Sequence, residues 1–295
     1  MREDAKMRSL LSPVLVVLVA ANAWAGAGTR GFSNADVTGN YNWLAQGSAV
    51  VPNTPIAFPV VIIGTVFSDG QGTMQGTATV NLSRPGSGLT PGQPVALALT
   101  YEVAEDGTGQ WFAAVNPNEP PSLLGSGAMV IGAHDEVYIV STQPGRVLST
   151  TAKKQKPPSG GFSNATLGGA WALTCHGALV TATEDALTPE IVPVAVIGLM
   201  TNDGDGTFSA AVTVNINGDV TPEAYTGETR VNSDGLVTAT ATSTEPVLLA
   251  HLSGVVDNRH AFRAISTDPG RIVSCAFTAQ ERPDEDRDQR RRHAR

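Results

Sequence analysis

The stretch "IVPVAVIGLMTNDGDGTFSAAVTVNIN", residues 191–217, shows most clearly how this chain is expected to fold. Its first run is apolar throughout, an Asp-Gly-Asp-Gly turn follows, and the second run alternates apolar with polar or small residues. Successive side chains of a β-strand point to opposite faces, and turns with glycine accept the positive φ of tight antiparallel hairpins. The stretch therefore predicts two antiparallel strands joined by a short turn.

The second half of the chain continues in the same way. Short runs rich in Val, Thr, Ala and Ile are separated by Gly-containing turns, and helical periodicity is nearly absent. Together these runs give eight candidate strands in meandering order: "AWALTCHGALV", "IVPVAVIGLM", "TFSAAVTVNIN", "AYTGETRV", "LVTATATS", "VLLAHLSGVV", "HAFRAIS" and "RIVSCAFTA". The pattern predicts an all-β fold, an antiparallel up-and-down barrel of about eight strands, with a β-sandwich as the alternative.

The first half of the chain repeats the second. The phrase "GFSNA" begins at Gly31 and again at Gly161, and further phrases recur in the same order. These pairs are "PVVIIG" and "PVAVIG", "DGQGT" and "DGDGT", "TVN" twice, and "STQPGR" and "STDPGR". Chance does not preserve the order of five phrases, so we interpret the chain as a tandem duplication of one barrel domain.

The repeat predicts the domain boundaries. Unit one is expected at residues 26–155 and unit two at residues 156–280, each long enough to bury its own core. The basic, Pro-rich stretch at residues 153–160 is typical of a linker. Residues 281–295 mix Arg with Asp and Glu, which predicts a charged disordered tail.

The first 25 residues have the pattern of an export signal. Lys6 and Arg8 precede an apolar run at residues 10–21, and the run is followed by the small-x-small pattern that ends at Ala25. The run is too short for a comfortable membrane span. We therefore expect an exported protein, periplasmic or extracellular, that does not span a membrane.

Export makes the two cysteines interpretable. In an oxidising compartment an even number of cysteines most often forms disulfides, so Cys175 and Cys275 are predicted to be bonded. They fall in the first and last candidate strands of unit two, which are neighbours only if the meander closes on itself. Unit one has Ala45 and Thr150 at the matching positions and must close without this bond.

Composition and motifs speak against several functional classes. The formal charge of −8 disfavours non-specific nucleic-acid binding, which requires clustered Lys and Arg. The cysteines lack the close spacing of zinc ligands, and the Asp-Gly loops are explained as hairpin turns rather than calcium loops. Neither a nucleophile elbow nor a phosphate-binding glycine loop occurs, so we predict no metal, no cofactor and no catalytic residues.

Two apolar runs predict a contact between domains or between chains. They begin at Pro59 and Pro193 (residues 59–64 and 193–198) and do not alternate, which indicates burial on both faces. One face of each strand would point into its barrel. The other face would be covered by the sister unit or by a second copy in a homo-oligomer.

The barrel interiors are the candidate ligand sites. Eight-stranded barrels either fill their interior with side chains or hold one small ligand. The first strand of each unit points large apolar residues inward, and the repeated Pro-Gly-Arg turn places an arginine at the rim, where it would bind an anion or pair with a carboxylate. The candidate ligand-binding residues are Tyr41, Trp43, Trp171, Leu173, Arg146 and Arg271.

The openings of the units, "FSNADVTGNY" and "FSNATLGGAW", resemble the start of uncharacterised exported bacterial domains that begin with a Phe-Ser-Asn-Ala phrase and end in a hairpin. The general build is similar to lipocalin-like and allene-oxide-cyclase-like barrels. The resemblance covers both units and implies a secreted barrel; no functional residue of either family carries over.

Three functional hypotheses remain at this point. The first is a secreted non-enzymatic tandem barrel that binds a small apolar ligand or serves as an extracellular interaction module. The second is a structural or adhesive surface protein with solid barrels. The third is a barrel enzyme, an isomerase or cyclase that shapes a bound apolar substrate.

Overall fold

The computed structural model describes residues 31–50, 57–82, 90–113, 125–181, 189–242 and 248–280. The segment Gly31–Arg295 forms one unit by its internal contacts. The predicted export signal and the predicted charged tail lie outside the described residues, and they remain predictions.

Unit one is a closed barrel of eight antiparallel strands, each hydrogen-bonded to the next in the sequence, with the last strand paired to the first. We call it barrel one. Its strands are β1 (Thr38–Val50), β2 (Ala57–Asp69), β3 (Thr73–Leu82), β4 (Gln93–Val103), β5 (Thr108–Ala113), β6 (Ser126–Ile131), β7 (Glu136–Ser141) and β8 (Arg146–Lys154). Strand β8 thus extends into the stretch predicted as a linker.

Unit two, barrel two, repeats this topology. Its strands are β9 (Gly169–Thr181), β10 (Glu190–Asn202), β11 (Thr207–Ile216), β12 (Asp219–Val231), β13 (Leu236–Thr242), β14 (His251–Asn258), β15 (Ala261–Ser266) and β16 (Arg271–Ala279). The predicted all-β fold of two eight-stranded up-and-down barrels is confirmed. The barrel closes because each hairpin keeps the apolar face of its strands on the inside.

The repeated Phe-Ser-Asn-Ala phrase forms a short 3-10 helix against one end of each barrel. The two helices are Asn34–Asp36 and Asn164–Leu167. The Asn34 side-chain oxygen accepts the backbone N–H of Val103 at 2.8 Å, and Asn164 accepts that of Val231 at the same distance. The phrase therefore recurs together with one interaction: in each barrel its asparagine binds the backbone at the end of the fourth strand.

The predicted disulfide between Cys175 and Cys275 is present. The two residues are directly opposite each other in the β9–β16 pairing, so the bond joins the first and last strands of barrel two. In barrel one Ala45 and Thr150 face each other at the same point between β1 and β8. Barrel one therefore closes by strand pairing and packing alone.

The two barrels contact each other through the outer face of β2. Val61 and Ile63 point away from the core of barrel one and are buried in a cluster with Val255, Ile265 and Ile272 of barrel two. Burial of β2 on both faces is confirmed, and its cover is the sister barrel. For the matching run at Pro193 the prediction of burial on both faces is wrong: buried and exposed residues alternate along β10, because no described residue covers its outer face.

Polar side chains tie the same contact. Arg263 and Asp257 form a buried ion pair with 3.0 Å between Nη2 and Oδ1, and Asn42 of barrel one donates its amide to the same carboxylate oxygen at 2.7 Å. Arg263 also donates to the backbone carbonyl of Thr151 in barrel one at 3.3 Å. The Asp257–Arg263 pair of barrel two is therefore bonded to barrel one through Asn42 and Thr151.

Candidate functional site in barrel two

Barrel two encloses an apolar cavity of about 40 Å³. Its wall is built from inward-facing residues of the strands and from Leu249, which follows β13. The residues that bear on the argument below are Leu173, Ala239, Gly254, Phe262, Ala264 and Phe277. The cavity therefore lies in the barrel interior, where the sequence placed the candidate ligand site.

Part of the cavity wall has smaller residues than the matching part of barrel one. In barrel one Trp43 and Trp111 are buried and pack edge to face, with ring centroids 6.2 Å apart. The repeat places Leu173 at the position of Trp43, and Ala239 holds the position of Trp111 after the matching Asp-Gly turn. Two tryptophans thus fill the space in barrel one that remains open between Leu173 and Ala239 in barrel two.

Two further wall positions follow the same rule. Met129 and Ile139 are buried in the core of barrel one, and the repeat places Gly254 and Ala264 at the corresponding positions of β14 and β15. Both smaller residues line the cavity. Two other wall positions change in the opposite direction, because Val137 and Ala152 of barrel one correspond to Phe262 and Phe277. The open space thus lies beside the smaller residues, and the two phenylalanine rings form another part of its wall.

An aromatic stack forms another part of the wall. The rings of Phe262 and Phe277 stack at a centroid distance of 3.9 Å, and Trp171 packs edge to face on Phe262 at 5.0 Å. The indole N–H of Trp171 donates to the backbone carbonyl of Leu167 at 2.7 Å. Trp171 therefore lies behind the cavity wall, where its fluorescence would respond to movement of Phe262.

Among the described residues that line the cavity, Tyr225 and Thr229 are the ones with polar side-chain oxygen atoms. Thr229 accepts a hydrogen bond from Asn202 at 2.9 Å, and the Tyr225 hydroxyl donates to Glu223. Burial, together with that hydrogen bond, raises the pKa of Tyr225. Both hydroxyl groups are engaged within the protein, so the wall offers a ligand mainly apolar contact.

Arg271 lies at the cavity end of barrel two and has protein partners. Its Nη1 donates to the backbone carbonyl of Leu248 at 3.1 Å and lies 3.3 Å from Oδ2 of Asp268. The same carboxylate oxygen accepts the backbone N–H of Ala250 at 3.0 Å. Arg271 and Asp268 thus hold the turn that brings Leu249 onto the cavity.

Arg146, the counterpart in barrel one, donates to the side-chain oxygen of Gln143 at 3.2 Å. Desolvation lowers the pKa of Arg146. A role in binding an anion remains a prediction for both arginines.

The structure places the other predicted site residues in two separate cores. Tyr41 and Trp43 are buried in barrel one, whereas Trp171 and Leu173 are buried in barrel two. Of these, Leu173 lines the cavity. The sequence analysis did not name Ala239, because a single alanine in a strand carries no functional signal. An alignment of the two repeats would have shown that Ala239 replaces Trp111.

The Asp-Gly loop after β10 is a hairpin turn. The Asp203 carboxylate accepts the backbone N–H groups of Asp205, Gly206 and Thr207 at 2.8–3.0 Å. These hydrogen bonds, with that of the Thr207 hydroxyl first, lower the pKa of Asp203 to about 2. In the described part of the chain, no cluster of three or more His, Cys, Asp or Glu residues is arranged to hold a metal ion.

Comparisons with known proteins add the following. No family model matches the chain, and no curated protein matches it. A solved structure that is similar to it is a protein of unknown function from the DUF3598 family of Nostoc punctiforme. The match covers 84% of this chain and 98% of that one, at 10% identity and a TM-score of 0.19. Within the described residues, no helix has the length and apolar character needed to cross a membrane.

Proposed function

We propose that the protein is an exported, non-enzymatic tandem barrel in which barrel two binds a small apolar ligand. The observation that carries the proposal is the apolar cavity between Leu173 and Ala239, in a fold whose sister copy fills that space with tryptophan. Ligand pockets of this class are mostly apolar and preformed.

The size of the cavity limits the ligand. A dry cavity of ~150 Å³ holds one benzene molecule. The cavity of barrel two is about 40 Å³, so its occupant is a very small apolar molecule or the apolar end of a larger one. The engaged hydroxyl groups of Tyr225 and Thr229 disfavour a strongly polar ligand, because its polar atoms would lose their hydrogen bonds to water.

Export is part of the same proposal. The disulfide between Cys175 and Cys275 is the type of bond that persists in oxidising compartments, and the N-terminal sequence has the order of a signal peptide. A kinship with exported domains that open with Phe-Ser-Asn-Ala, and a lipocalin-like build, would agree with these features. Location in the periplasm or outside the cell is accordingly proposed.

Xenon is a suitable probe because its binding depends on apolar contact and available space. We expect methyl signals of Leu173 and Ala239 to shift in NMR spectra under xenon pressure. The variant Ala239→Leu fills the cavity and should abolish the shifts. Its control, Thr240→Leu, changes an outward-facing neighbour on the same strand and should preserve them. Shifts that persist unchanged in Ala239→Leu would place the binding elsewhere and refute the proposal.

Native mass spectrometry of protein purified gently from its own producer would identify the ligand. Extra mass that disappears on denaturation is expected, and its value gives the class of the bound molecule. An isomerase or cyclase would release a product different from the molecule supplied. Incubation of the purified protein with the identified ligand therefore separates binding from turnover.

A further inference from the structure

The contact between the two barrels uses two surfaces that the duplication should have produced twice. One surface is the outer face of β2, with Val61 and Ile63. The other is the outer face of β14–β16, with Val255, Ile265 and Ile272. Each barrel has a counterpart of both surfaces. The internal contact, however, involves only the β2 surface of barrel one and the β14–β16 surface of barrel two. The two counterparts that take no part in the internal contact are the outer face of β10 and the outer face of β6–β8. Their residues indicate whether the same contact could form between two copies of the chain.

The counterpart of the β2 surface is the outer face of β10 in barrel two. Ile197 precedes the repeated glycine just as Ile63 does, and its side chain is 62% exposed. Ile191 and Leu199 extend the same face and are 47% and 51% exposed. We call Ile191, Ala195, Ile197 and Leu199 the β10 face. Large residues of this type in one exposed row are typical of an interaction surface.

The counterpart of the second surface lies on barrel one. Val140 and Val147 flank the phrase "STQPGR" just as Ile265 and Ile272 flank "STDPGR", and they are 49% and 69% exposed. Val130 takes the position of Val255, and its cross-strand neighbour is Tyr138; these two are each 48% exposed. We call Val130, Tyr138, Val140 and Val147 the β6–β8 face. Val130, Val140 and Val147 thus retain the apolar character of Val255, Ile265 and Ile272, whereas Tyr138 stands where barrel two has Arg263. All four are exposed.

A polar element of the contact is retained on both sides as well. The buried Asn81 amide donates to the carbonyls of Ser266 and Arg271 at 2.6 and 2.9 Å, so it binds the backbone of the "STDPGR" turn. Asn215 ends the same "TVN" phrase beside the β10 face and is exposed. The "STQPGR" turn lies beside the β6–β8 face. Two of the repeated phrases are therefore the two halves of one recognition element.

We propose that the chain self-associates head to tail, with the β10 face of one copy bound to the β6–β8 face of a second copy. The occupant follows from continuity with the established contact: the internal interface between barrels one and two would recur between barrel two and the next barrel one. Asn215 would then bind the turn at residues 141–146. Such a heterologous contact leads to a closed ring if its rotation closes and to a filament if it does not.

The contact between copies should be weaker than the one within the chain. Gly132 and Tyr138 occupy the positions of Asp257 and Arg263, and Ala172 occupies that of Asn42. The buried ion pair therefore has no counterpart between copies. The self-association uses the outer faces and is independent of the ligand cavity, so failure of either proposal leaves the other intact.

Two variants of the full chain test the proposal. Ile197→Glu places a carboxylate on the β10 face, and Val147→Glu places one on the β6–β8 face. Sedimentation velocity over a range of concentrations should show reversible oligomers for the unchanged protein. Each variant should weaken association by about 100-fold or more, because an unpaired charge is costly in an apolar contact. The control Thr100→Glu, on the exposed side of β4, should leave association unchanged.

Mixing the two variants determines the geometry. Each retains the surface that the other lacks, so an equimolar mixture should form a 1:1 dimer and nothing larger. An unchanged protein that stays monomeric at every concentration would overturn the proposal. Association lost in Ile197→Glu but unaffected in Val147→Glu would also overturn it, because that result indicates a symmetric contact of two β10 faces.

Discussion

Trp111 packs edge to face on Trp43 in the core of barrel one, and the corresponding pair in barrel two is Ala239 and Leu173. The two barrels therefore place different side chains at the same two interior positions. The strand order is the same in both barrels, whereas side-chain volumes differ and the β14–β15 pair has a register shift at Val256 that the β6–β7 pair lacks. The following predictions use each barrel as the reference for the other.

Truncating Trp111 should open barrel one. Trp111 is 3% exposed, so Trp111→Ala removes a buried aromatic side chain and leaves a cavity. We expect the free energy of unfolding to fall by about 3–5 kcal/mol, measured by guanidinium denaturation. The adjacent Phe112 is 49% exposed, and Phe112→Ala should change it by less than about 1 kcal/mol. Equal effects of the two variants would show that Trp111 does not fill the core.

Removing the disulfide should destabilise barrel two. Cys175→Ala with Cys275→Thr recreates the Ala45–Thr150 pair that closes barrel one. The bond spans 100 residues, and closing a loop of this length is worth about 4.7 kcal/mol in the chain-entropy account. Hydrogen exchange should accelerate in β9 and β16 before it does in β1 and β8. If hydrogen exchange accelerated equally in both barrels, the disulfide would not stabilise barrel two specifically.

Replacing one partner of the Asp257–Arg263 ion pair should lower the free energy of unfolding more than replacing both partners. Asp257→Ala leaves a guanidinium whose side chain is 13% exposed without its carboxylate, and should cost about 3–5 kcal/mol of unfolding free energy. The double variant Asp257→Ala, Arg263→Met should recover part of this loss because no buried charge remains. A double-mutant cycle with purely additive effects would indicate that the pair is not coupled.

Alkaline pH should destabilise barrel one through Tyr41. Burial, followed by the charge of Asp135, raises the pKa of Tyr41 to about 12, whereas an unfolded tyrosine ionises near its ordinary value of about 10. The neutral form is thus favoured in the folded state. Its contribution to stability is complete below pH ~10 and is lost as the pH rises towards 12.

Tyr41→Phe should reduce this loss, measured as the difference in unfolding free energy between pH 9 and pH 11.5. Burial also raises the pKa of Tyr101 and Tyr225, so part of the dependence should remain in the variant. An identical pH dependence for the variant and the unchanged protein would show that Tyr41 ionises freely in the folded state.

The strand pattern and the duplication were predictable because they depend on local chemistry. Alternation around the Asp203 turn, the eight runs of unit two and the positions of Cys175 and Cys275 together led to a closed meander. The candidate site was predictable to the level of the barrel interior. The sequence analysis named Leu173 but not Ala239. A cavity forms where side chains are too small to fill the interior, and this cannot be inferred from one residue considered alone.

The sequence by itself determined the type of the elements, the repeat and the closure of barrel two. Strand periodicity and glycine turns depend on residues close in the sequence, and the closure follows from the covalent bond between the two cysteines. The tertiary structure decided which barrel has an open interior and which outer faces are covered. Val61 and Ala195 occupy matching positions, yet the first is buried by the sister barrel and the second is exposed. Burial of this kind depends on how two complete domains meet, and that relation is not contained in the local pattern of either strand.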